Sequence, residues 1–232
     1  GAQGNYDEAI ALLDQALARR RQLGDLGEVS QTLNNIGAIR MYQGRYGLAL
    51  TVLDEALRLA EQADNISLQG SVLGNLGVAY GAQGRYPQAL EAHRRAQQLA
   101  QAAGRPSTEA SAVNNLGLVY TQMGQNERAL QQFEAALALV RRIGDLAGEA
   151  IILNNLASVT GDLGNPDRAL TLFQSALRIQ EEIGDRASAG QTHNNIGSIY
   201  DKQGRYAEAE AQYTQALALS QAVGDRYTEG RT

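Results

Sequence analysis

Apolar and polar positions along the chain repeat as whole blocks, 40 residues apart. The stretch Leu33-Asn34-Asn35-Ile36-Gly37 returns as Leu73-Gly74-Asn75-Leu76-Gly77, Val113-Asn114-Asn115-Leu116-Gly117, Leu153-Asn154-Asn155-Leu156-Ala157 and His193-Asn194-Asn195-Ile196-Gly197. Two alanine columns keep the same register, from Ala9, Ala49 and Ala89 to Ala209, and from Ala16, Ala56 and Ala96 to Ala216. The two columns are seven residues apart, so they share one helix face two turns apart, where only a methyl group separates neighbouring helices. Glycine punctuates the pattern. Gly4, Gly44, Gly84, Gly124, Gly164 and Gly204 mark a turn inside each block, at a backbone conformation that ends a helix. Gly24, Gly104, Gly144, Gly184 and Gly224 end the second helix, Asp64 being the exception, and Asp25, Asp145, Asp185 and Asp225 follow as N-caps. Pro87, Pro106 and Pro166 fall at helix starts, where a missing N–H is harmless. The pattern predicts helix pairs over 26–63, 66–103, 106–143, 146–183 and 186–223. A second helix of a truncated repeat is expected over 1–24, and the start of another repeat over 225–232.

A repeat of this size cannot bury its own core, so neighbours stack, and cut repeats at both ends imply a piece of a longer array. Of the residues 44% are hydrophobic, enough for a stacked core, yet no apolar run is long enough for a membrane span. A net charge of −5 disfavours a nucleic-acid footprint, and the chain has no cysteine for disulfides or thiolate chemistry. The expectation is a cytoplasmic protein.

The order Ile36-Gly37, Gly44, Tyr46, Ala49, Leu53, Ala56, with its later copies, resembles the tetratricopeptide repeat signature. The 40-residue period and doubled Asn are similar to the long-repeat branch that includes kinesin light chain, Pins-type adaptors and bacterial regulatory proteins. The resemblance implies an all-α fold, a right-handed α-solenoid of antiparallel helix pairs whose first helices line a concave groove. It also implies that the second Asn of each pair holds a ligand's backbone. The fourth full repeat departs most, with Ala157, Thr160 and Asn165-Pro166 in place of the usual Gly, Tyr and Arg-Tyr.

The Asn column is the principal candidate site. One carboxamide both donates and accepts, so it can pair with a peptide group whatever the ligand's sequence. First helices about 10 Å apart, against an extended chain rising about 3.3 Å per residue, give one Asn for about three ligand residues. The candidate peptide-binding residues are Asn35, Asn75, Asn115, Asn155 and Asn195, with the first-position Asn34, Asn114, Asn154 and Asn194, and Gln31, Tyr42, Val78 and Leu118. Gly74, Gly81 and Ala82 are expected to leave a hollow beside Val78 and Leu118. A competing assignment has the Asn residues bonding across helices to stabilise the stack. The columns of Tyr46, Tyr80 and Phe133 read as core, as do His93 and His193. The two histidines lie 100 residues apart without a partner motif, so neither a catalytic nor a metal role is expected, and no cofactor. Arg19-Arg20-Arg21, Arg94-Arg95 and Arg141-Arg142 read as solvated ends of second helices. The function expected is a non-catalytic module binding a protein or peptide partner, without nucleic acid or membrane. The alternatives are a sensor array of a larger bacterial multidomain protein and an oligomerisation scaffold with end-to-end self-association.

Overall fold

A computed structural model describes residues 2–223. The chain divides into two compact units, Gly1–Met123 and Gly124–Thr232. The first contains α1 (Ala2–Leu23), α2 (Leu26–Tyr42), α3 (Tyr46–Gln62), α4 (Ile66–Ala82), α5 (Tyr86–Ala102) and α6 (Pro106–Gln122). The second contains α7 (Asn126–Ile143), α8 (Leu146–Asp162), α9 (Pro166–Glu182), α10 (Arg186–Lys202) and α11 (Tyr206–Val223). Each described helix boundary falls within a residue or two of a predicted punctuation point. The predicted Gly224-Asp225 join and the partial repeat over 225–232 lie outside the described residues.

Within each unit, consecutive helices pack on one another, and the first helices also touch directly: α2 with α4, α4 with α6, and α8 with α10. The alanine columns make this approach possible. Ala49, Ala56, Ala89, Ala129, Ala136, Ala169, Ala176 and Ala216 are wholly buried, where any longer side chain would push the helices apart. In unit 1 the core runs through Leu33, Ile36, Leu53, Val72, Leu73 and Leu76; in unit 2 a core cluster holds Leu170, Phe173, Ile196 and Ile199. The Gly37 column marks an even closer approach. A Cβ on Gly37 would meet Leu53, on Gly77 the His93 ring, and on Gly197 the Tyr213 ring.

The turns follow the two punctuation columns. Among the described residues nine glycines adopt φ between 62° and 82°, and Asp64 holds the same left-handed conformation at 49°, so aspartate substitutes for glycine there. Gly4 departs from expectation: α1 starts upstream of it, at Ala2, so no helix ends there and its backbone stays helical. Asp25, Asp145 and Asp185 cap as predicted, their carboxylates accepting from the amides of Glu28, Gly148 and Ser188 at 2.9–3.0 Å. The sequence reading missed Asn65, which caps α4 by accepting from Leu68 N at 3.1 Å. Its Ala substitution is expected to cost about 1 kcal/mol, the usual worth of such a cap, measured as a lower urea midpoint.

Candidate functional site

The apolar flank of each first helix fixes what its other flank presents. In α2, Val29, Leu33 and Ile36 face the core, so Gln31, Asn35, Ala38 and Tyr42 form a stripe at helical spacing on the other side. The matching stripes run through Ser71, Asn75, Val78 and Ala82 on α4, and through Ser111, Asn115, Leu118 and Gln122 on α6. Tyr42 is 77% exposed, Val78 47% and Leu118 38%: all three are open apolar surface, as predicted from the sequence. Tyr42 does not stand alone, because Tyr6 stacks parallel to it, with ring centroids 6.4 Å apart. Among the groove columns of unit 1 there is no charged side chain.

The two Asn columns separate. Asn34, Asn114 and Asn194 are buried, turned towards neighbouring helices, whereas Asn154 is half-buried and lines a pocket in unit 2. Asn34 shows how: its Oδ1 accepts from Asn75 Nδ2 of the next first helix at 2.9 Å. The competing assignment therefore holds for this pair. Asn35 is exposed and accepts from Gln31 one turn back at 3.0 Å. Asn115 differs. The Asn34–Asn75 bond spans 41 residues, and the same span back from Asn115 reaches Gly74, which has no side chain to accept. Asn115 makes no side-chain hydrogen bond among the described residues, and a Cβ built on Gly74 meets nothing within 4 Å. Gly74 thus frees an amide and opens the space beside it. Gly81 opens less, since its Cβ would meet Gln122 Oε1 at 3.1 Å.

Unit 2 builds a different, polar floor. Thr192 and Gln180 occupy columns held by Val72 and Ala60 in unit 1, and both are almost wholly buried. Thr192 Oγ1 lies 2.8 Å from Gln180 Oε1, 3.0 Å from Asn154 Oδ1 and 3.0 Å from the Ser188 carbonyl. One hydroxyl proton thus serves three acceptors. Above them, Asn155, Ser158, Gln191 and Asn195 border a pocket of about 200 Å³, with Ile151 at its edge, 54% exposed. The sequence carried the signal: Arg20 with Thr32 and Gln180 with Thr192 are the described pairs in which both columns turn polar, and Arg20 Nη1 reaches Thr32 Oγ1 at 2.5 Å. At the end of these helices Lys202 meets Asp162 at 4.0 Å, an exposed ion pair of little energetic consequence.

Other expectations need correction. Tyr206 is 70% exposed, not core, whereas Tyr46 and Tyr86, which open α3 and α5 in the same column, are half-buried. Tyr80 and Tyr200 are half-buried, each covered by an arginine, Arg85 at 4.5 Å and Arg205 at 4.2 Å from the ring centre. Thr160 and Asn165 lose that ring and that cation together. His93 is core, and burial pushes its pKa down to about 4. His193 is only half-buried, its Nδ1 2.8 Å from Gln212 Oε1. Arg94 and Arg95 sit in the middle of α5, and Arg95 pairs with Glu61 at 3.0 Å across to the previous second helix. No group of His, Asp and Glu able to hold a metal occurs among the described residues. No described helix is long and apolar enough to cross a membrane.

The tetratricopeptide repeat family matches at residues 1–62, 28–102, 68–142, 108–182 and 148–222. The chain belongs to the tetratricopeptide repeat family. No curated protein matches the sequence. Among solved structures, BtubC (BKLC) from P. vanneervenii is 24% identical, with a TM-score of 0.80 over 94% of this chain and 92% of that one. The Rap conjugation gene regulator of plasmid pLS20, solved with the Phr* peptide, is 18% identical, with a TM-score of 0.71 over 88% and 55%. A signal transduction ATPase with a tetratricopeptide repeat sensor, from Pyrococcus horikoshii, is 17% identical, with a TM-score of 0.73 over 98% and 38%. At these identities the likeness is one of fold. The tetratricopeptide repeats here thus supply the helix pairs, and the stripes on their first helices supply the candidate site.

Proposed function

We propose that the chain is a peptide-binding module that holds an extended, uncharged segment along its first-helix stripes. Asn115 carries this reading: alone of the Asn residues on the stripes of unit 1, it has no hydrogen-bond partner and adjoins open space at Gly74. A peptide group on Asn115 places the ligand's next side chain over Gly74, between Val78 and Leu118, and Tyr42 supplies an aromatic anchor further along. In unit 2 the carboxamides of Asn155, Gln191 and Asn195 around the pocket pair with peptide groups of the same kind of ligand. A structurally similar regulator was solved with a peptide, which fits this assignment. Because the unit 1 stripes are uncharged, binding is expected to change little with salt.

A peptide-array pull-down on the whole chain tests this, using Asn115→Ala, Gly74→Leu and Asn75→Ala side by side. Asn115→Ala is expected to lose the bound peptides while stability stays within about 0.5 kcal/mol, since it breaks no internal bond. Gly74→Leu fills the hollow and is expected to lose them too. Asn75→Ala is expected to cost about 1–2 kcal/mol, because the buried Asn34 carbonyl loses its donor. Peptide binding that is indifferent to both Asn115→Ala and Gly74→Leu would sink the proposal.

A further inference from the structure

The far side of α4 carries a cavity. Leu73, Leu76 and Tyr80 are about half a helical turn away from Asn75 and Val78, and they face the space between α3 and α5. The cavity there measures about 390 Å³, within the range of small-molecule sites. Its floor is apolar, made by Leu57, Leu73, Leu76 and Ala92, and Tyr80 forms one wall. Ala92 accounts for the space, because Leu12, Val52 and Leu172 occupy the same column in other repeats.

The rim carries two carboxylates, Asp54 and Glu91, and one cation, Arg95. Arg95, the cation on the rim, is engaged by Glu61 at 3.0 Å, and Arg85 lies over Tyr80. Asp54 and Glu91 also line the cavity, and neither makes an ion pair or side-chain hydrogen bond among the described residues. Partial burial raises the Asp54 carboxyl above its usual range, against the lowering effect of Arg58 and Arg85 nearby.

We propose that this cavity binds a small organic amine, its apolar or aromatic body on the Leu57–Leu73–Leu76–Ala92 floor and its ammonium group between Asp54 and Glu91. The site is separate from the first-helix stripes, so peptide binding and amine binding succeed or fail independently.

The test is a heteronuclear NMR titration of the whole chain with 4-phenylbutylamine, 4-phenylbutanol and 4-phenylbutyrate. The expected result is saturable shifts in α3, α4 and α5 around Asp54, Tyr80 and Glu91 with the amine, and at least about ten-fold weaker binding of the carboxylate. Ala92→Leu, which installs the residue at the Leu172 position, is expected to abolish the shifts. The double variant Asp54→Asn/Glu91→Gln, at exposed positions, is expected to weaken the amine about ten-fold with the fold intact. Equal binding of all three compounds, shifts mapping elsewhere, or a double variant that binds like the parent would overturn the proposal.

Discussion

Phe173→Ala is expected to remove about 3–5 kcal/mol from the stability of the second unit, the largest single effect of any substitution considered. Phe173 is 1% exposed, in a cluster with Leu170, Ile196 and Ile199. Its surroundings cannot collapse onto the vacated space. Ala157, Ala169 and Ala176 beside it in the helix pair are wholly buried and have no side chain to extend. The loss therefore combines lost burial with a persisting cavity. Phe173→Leu is the control, because Leu53 fills the same column in unit 1, and its cost is expected near 1 kcal/mol. Urea unfolding followed by helical circular dichroism reads both. A Phe173→Ala loss below about 1 kcal/mol would mean that the repeat relaxes around the gap, against the close-packed description.

His93→Phe is expected to flatten the acid limb of the stability curve. His93 is 1% exposed against Gly77, and its Nδ1 has no hydrogen-bond partner. Burial disfavours the charged imidazolium and pushes the folded pKa to about 4, below the 6.5 of an unhindered histidine. The unfolded chain therefore takes up the proton first as pH falls. The stabilisation by neutral His93 is complete above pH 6.5 and is lost progressively as pH drops towards 4, about 3 kcal/mol in all. Phenylalanine, which fills this column as Phe133 and Phe173, has no proton to bind. Stability of parent and variant, compared at pH 7 and pH 4.5, is expected to diverge in the variant's favour at the lower pH. Parallel losses in the two proteins would place His93 in water or beside a hidden partner.

The fold was legible because backbone constraints leave marks in single residues. A positive φ selects glycine, a free helix start selects Asp or Pro, and a close helix contact selects Ala, so each boundary is written at a fixed column. Asn65 stands in the column of Asp25, Asp145 and Asp185, but Asp64 fills the left-handed position before it, so the Gly-Asp pair that marks the other caps is missing there. The candidate site was legible only in part. Periodicity placed Asn35, Asn75 and Asn115 on one stripe, and correctly left Tyr42, Val78 and Leu118 exposed. It could not distinguish a bonded Asn from a free one, because adjacent helical positions differ by about 100° and partners lie 41 residues away. Gly74, which looked like a defect in the column, is what leaves Asn115 unpaired. The second cavity left one weak mark, Ala92 in a column of larger residues.

The central claim is that a peptide lies along the first-helix stripe of unit 1, and position-specific photo-crosslinking tests it most directly. A benzophenone side chain is placed at Val78 in one sample and at Leu48, on a second helix and 54% exposed, in another. Peptides selected by the parent chain are then irradiated with each. The account predicts crosslinks from position 78, lost on adding Asn115→Ala, and none from position 48. Crosslinks from position 48 alone, or from position 78 undiminished by Asn115→Ala, would contradict it.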